Sequence, residues 1–108
     1  MRLTADFWVH AYVARLAQAG IPAFITAHGD DTAGAVIVKS NTLDGKAQAY
    51  VRSFDFDGNR SWVMLEEGAE PDVDAALARQ RRYDSDLWIV EVEDRQGRTL
   101  LDAEGLAD

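Results

Sequence analysis

Apolar positions recur along this chain with two periods, and the change between them marks out the elements. From Phe7 to Ala19, Trp8, Val9, Tyr12, Val13, Leu16 and Ala19 share one face of a 3.6-residue wheel. Thr4 or Asp6 can cap this helix, Gly20 can stop it, and Pro22 follows. The pattern then becomes extended. Ala23–Ala27 reads as a strand, Gly29–Thr32 as a turn, and Gly34–Lys39 as the least polar strand, covered on both faces. Asp44-Gly45 carries a hairpin signal, Ala47–Ser53 alternates as a third strand, and Asp57–Asn59 turns into a fourth at Ser61–Leu65.

Gly68–Pro71 breaks the extended pattern. Asp72 can cap a second helix to about Tyr83, with Val73, Ala76, Leu77, Gln80 and Tyr83 facing inward. Leu87–Glu93 is the last strand, with Trp88, Val90 and Val92 on one face and Leu87, Ile89 and Glu91 on the other. Trp88, Val90 and Val92 should be buried against the helices, and the strand should insert beside Gly34–Lys39. The order is α-β-β-β-β-α-β. Three hairpin-length links predict an α+β fold with a mostly antiparallel sheet of about five strands and two helices packed on it.

The 108 residues suit a single domain over 1–108, with a loose tail after about residue 102. The absence of cysteine excludes disulfides, thiolate metal ligands and cysteine nucleophiles, and fits a reducing compartment. No stretch has the apolar length of a membrane span and the N-terminus lacks signal-peptide character, so a cytoplasmic location is expected. The net charge of −8 repels phosphate backbones and anionic lipid, so neither nucleic acid nor membrane is an expected partner.

Three stretches, Phe7-Trp8-Val9-His10-Ala11-Tyr12, Gly29-Asp30 with Ala33–Val36, Lys39 and Asn41, and Asp84–Arg95 with Gly97 and Arg98, resemble the alphaproteobacterial family catalogued as domain of unknown function fourteen ninety-one. Leu87–Asp94 is the most specific part. The resemblance implies the same element order and a cytoplasmic bacterial setting, and it supplies no activity and no catalytic residues. That family usually carries a basic residue where this chain has His28, which counts against a histidine-dependent site there.

The chemistry-bearing residues are sparse. His28, Asp30 and Asp31 suggest metal ligation, but neighbouring turn residues splay outward, so no tight metal site and no cofactor is expected. Asp55–Asn59 fails the register of a calcium loop. Glu91 and Glu93 project from one strand face, yet the lysine a nuclease would place two residues further on is Arg95. No Gly-x-Ser-x-Gly elbow, Walker loop or Gly-x-Gly-x-x-Gly occurs. Arg79, Arg81 and Arg82 are explained by the negative end of a helix. Most aromatic residues belong to the core, whereas Phe54 and Phe56 flank a turn and suggest an interaction surface.

Two functions follow. The leading one is a small non-catalytic interaction module, working through a protein partner or self-association. The alternative is a small-ligand binder or enzyme whose site forms only in three dimensions, with Lys39, Asn41, Arg79, Glu91 and Glu93 as candidates.

Overall fold

The computed structural model describes residues 3–54 and 60–102. The elements are α1 (Ala5–Gln18), β1 (Ala23–Ala27), β2 (Val36–Asn41), β3 (Lys46–Phe54), β4 (Arg60–Ala69), α2 (Glu70–Tyr83) and β5 (Trp88–Glu93). They reproduce the expected order and the α+β class. Thr4 caps α1, its Oγ1 accepting from the Phe7 amide at 3.2 Å. The helix closes at Gly20, whose φ of 76° a side chain would disfavour.

The five strands form one sheet in the order β1-β5-β2-β3-β4. β5 pairs in parallel with β2 and antiparallel with β1, while β2–β3 and β3–β4 are antiparallel. The last strand thus inserts where the sequence places it, beside β2. That insertion separates β1 from β2, so their link is a wide loop and only two of the three short links close hairpins. Gly29 and Gly34 lie in this loop, where a Cβ would collide with the Asp86 carbonyl and the Trp88 ring.

Strand alternation divides the core into two layers. On one face, Trp8, Val9, Tyr12 and Leu16 of α1 pack on Val36, Val38, Trp88, Val90 and Val92. On the other, Val73 and Leu77 of α2 pack on Ile37, Ala47, Ala49, Leu87 and Ile89. Among the described residues no helix is long and apolar enough to cross a membrane.

Several expectations need correction. β4 continues through Glu66–Ala69 because Lys46–Ala49 pair with it. Pro71 opens α2 instead of ending the region, since proline's fixed φ and missing N–H suit a helix start. Asp72 therefore lies inside the helix and Ala69 holds the cap position. Gln80, Tyr83, Phe7 and Phe24 are exposed. Tyr83 follows the last covered turn of α2 and so has nothing to pack on. Phe54 ends β3 opposite Arg60 in the register. Phe56, the turn at Asp57–Asn59 and the tail after residue 102 lie outside the described residues, as does the surface expected from the Phe54 and Phe56 side chains.

Candidate functional site

Lys39 lies in an otherwise apolar central strand, and its parity with Ile37 turns it toward α2. Its side chain is only 5% exposed. A buried ammonium needs countercharge, and three carboxylates supply it. Lys39 Nζ lies 2.8 Å from Glu70 Oε2, 2.6 Å from Asp74 Oδ1 and 3.1 Å from Glu91 Oε1. Parallel pairing sets Glu91 directly beside Lys39. The one-turn spacing of Glu70 and Asp74 presents both from α2.

Asn41, two residues along the same face, completes the network. Its Nδ2 donates to Glu70 Oε2 at 2.9 Å and to Glu91 Oε2 at 3.2 Å. Its Oδ1 accepts from the Leu43 amide at 2.8 Å, holding the left-handed turn at Leu43 (φ 62°). The cluster borders a shallow open groove of about 340 Å³ lined by Thr26, Leu77, Ala78 and Ile89 together with the ionic groups.

Three of the five candidate ligand residues, Lys39, Asn41 and Glu91, therefore converge. Arg79 is exposed on α2 outside the cluster. Glu93 shares the sheet face with Glu91 but pairs one step further along, opposite Asn41. Glu70 and Asp74 were missed by sequence reasoning. The available signal was a lysine in the least polar strand together with an acidic pair one helical turn apart beside Val73 and Leu77.

Burial alone would lower the Lys39 pKa. The hydrogen bonds it donates to Asp74, Glu70 and Glu91 outweigh it and hold the ammonium above the ordinary lysine range. A protonated lysine with three occupied donors is neither a base nor a nucleophile near neutrality. The arrangement acts as an ionic clasp between α2 and the sheet.

Burial also pushes the Tyr12 phenol above its ordinary range, and its hydroxyl donates to the Thr99 carbonyl at 2.7 Å. Both folded-state values are raised. Their stabilisation is fully present below the unfolded-state pKa and is lost as pH rises through the folded one. Stability to urea should therefore be insensitive to these two groups from neutrality to about pH 10 and fall above it. Lys39→Met and Tyr12→Phe should each flatten that alkaline fall; an unchanged profile in both would contradict the assignment.

At the β1–β2 loop, Asp30 takes the structural role expected of a turn residue, its Oδ2 accepting from the Thr32 and Ala33 amides at 3.1 and 2.9 Å. His28 Nε2 lies 2.8 Å from Asp31 Oδ1, and Arg81 donates to the His28 carbonyl at 3.2 Å. Trp88 Nε1 donates to the Asp30 carbonyl at 2.7 Å. After β5, Asp94 accepts from the Arg98 guanidinium at 2.9 and 3.1 Å, which holds its carboxyl below the usual range. The Trp88–Asp94–Arg98 run thus closes both ends of the inserted strand.

Comparison with known proteins bears on the fold and the family. Residues 3–102 match the family model described as a protein of unknown function, DUF1491. A crystal structure of a DUF1491 protein from Caulobacter crescentus is 39% identical, with a TM-score of 0.87 over 93% of this chain and 95% of that one. An NMR structure of a DUF1491 protein from the same organism is 40% identical, with a TM-score of 0.80 over 92% of each chain. A solution structure from A. tumefaciens is 31% identical, with a TM-score of 0.73 over 86% of each. No curated protein matches. The chain belongs to the DUF1491 family of proteins of unknown function.

Proposed function

We propose that the protein is a cytoplasmic, non-catalytic interaction module that pairs with an extended strand along the edge of β4, a second copy of the chain being the simplest partner. The observation that carries this reading is the pair Val63 and Met64, adjacent on the ten-residue edge strand and 43% and 47% exposed. They point to opposite faces of the sheet, so an added strand would extend both faces at once. A register shift near Ala49/Tyr50 leaves Leu65 as the extra residue of a bulge. The bulge confines regular pairing to the stretch before it.

Sedimentation velocity over a concentration series tests this. The wild type should show concentration-dependent dimerisation, and Met64→Lys should remain a monomer with unchanged stability. A wild type monomeric at every concentration would remove self-association, and a dimer indifferent to Met64→Lys would place the contact elsewhere.

The convergence of Lys39, Asn41 and Glu91 beside a groove favours a second reading, a binding site for a small cationic ligand. One ammonium against three carboxylates leaves the groove acidic. Chemical shifts of Thr26 and Ala78 that move with an added diamine but not with a simple salt would support it over the first. The acidic balance of the whole chain is the basis for expecting no nucleic-acid partner. A filter-binding assay at physiological salt should show no saturable affinity better than about 1 μM.

A further inference from the structure

We propose that Asp6, His28 and Asp31 form a divalent transition-metal site at the junction of α1 with the β1–β2 loop. The sequence argues against a site here because neighbouring turn residues diverge, and Asp30 does turn away, into its own loop. The third ligand comes from elsewhere in the chain. The Asp6 amide donates to the Asp31 carbonyl at 2.9 Å, and the Ala5 amide to the Thr32 carbonyl at 3.1 Å, so the first turn of α1 is fixed to the loop. One donor atom from each of Asp6, His28 and Asp31 then lies within 4.8 Å of the other two.

An imidazole and two carboxylates around an open centre suit zinc or manganese, with water completing the shell. The His28–Asp31 contact of 2.8 Å is a hydrogen bond, shorter than the roughly 3.4 Å between two ligands on a tetrahedral ion, so an ion would enter by replacing it. Metal–ligand distances of about 2.0–2.2 Å put neighbouring ligands roughly 3.4 Å apart, inside the 4.8 Å that bounds the three donor atoms, so the side chains would draw in on the ion. His10 Nδ1 is hydrogen-bonded to the Asp6 carbonyl at 2.9 Å and lies 3.2 Å from Asp6 Oδ1.

The scaffold beneath the ligands is already ordered. His28 lies over the Trp88 ring with centroids 4.1 Å apart, and its carbonyl is held by Arg81. The His28 and Asp31 side chains are 61% and 72% exposed. The ion is therefore reachable, but solvent competes for it, which sets micromolar rather than tighter affinity.

The test is calorimetric titration of the full chain with zinc and, separately, magnesium, paired with amide and imidazole NMR shifts. Zinc should bind at one equivalent with micromolar affinity and perturb His28, Asp31 and Asp6, while magnesium binds far more weakly. His28→Ala and Asp31→Asn, both at exposed side chains where folding is not at stake, should each weaken zinc at least about tenfold. Asp74→Asn, in the separate cluster under α2, should leave it unchanged. No saturable zinc uptake, uptake that survives His28→Ala, or uptake lost in Asp74→Asn would each overturn the proposal.

Discussion

Trp88→Ala should lower the unfolding free energy by about 3–5 kcal/mol, the range for removing a large buried aromatic. The indole is fully buried between α1 and the sheet, and its Nε1 donates to the Asp30 carbonyl at 2.7 Å. The substitution leaves a cavity and strips that carbonyl of a donor. It also removes the surface against which Gly29 and Gly34 bring the β1–β2 loop. A domain of this size has about 5–15 kcal/mol in all, so the variant should be visibly unstable. Met64→Ala, at a half-exposed edge position, should fall within about 0.5 kcal/mol of the parent. Urea melts at a concentration that dissociates any dimer make the comparison. A Trp88→Ala variant that melts like the parent would mean that the α1 layer is not the principal core.

Lys39→Met should cost about 2–3 kcal/mol. Breaking a buried ionic pair from one side costs about 3–5 kcal/mol, and the lower figure applies here because Asp74 and Glu70 reach water and recover part of their solvation. The methionine fills the space of the lysine stem, so the loss reports charge and not volume. It leaves Glu70, Asp74 and Glu91 facing one another without the ammonium. Adding Glu70→Gln and Glu91→Gln should restore part of the stability, because the repulsion disappears with the charges. A triple variant no more stable than Lys39→Met alone would show that the carboxylates do not act through Lys39.

The sequence carried the fold further than the site. Period-2 and period-3.6 patterns located both helices and all five strands, and the apolar run Leu87–Val92 indicated insertion beside β2. Errors arose where a local breaker was overruled by pairing. Pro71 reads as a stop, yet it sits in the first turn of α2, where the backbone N–H groups have no intrahelical partner and its missing one costs nothing. The fourth strand is predicted to end at Leu65, yet it runs on through Glu66 and Glu67, because an edge strand tolerates charge on its open side. The polar cluster was half legible. Lys39, Asn41 and Glu91 stand out as polar groups on buried strands, while their partners Glu70 and Asp74 resemble any acidic first turn until α2 is laid across the sheet. The junction of Asp6 with His28 and Asp31 joins segments more than twenty positions apart in the chain, and no local pattern encodes that approach.

Amide hydrogen exchange along β4, measured at low and high protein concentration, tests the central claim of edge-strand pairing most directly. If β4 pairs with a second copy, the outward-facing amides of the Arg60–Met64 stretch should exchange quickly in dilute protein and slow markedly at high concentration. Those of β1, at the opposite edge, should be unaffected. β4 amides that exchange equally fast at both concentrations, or protection that develops along β1 instead, would contradict it.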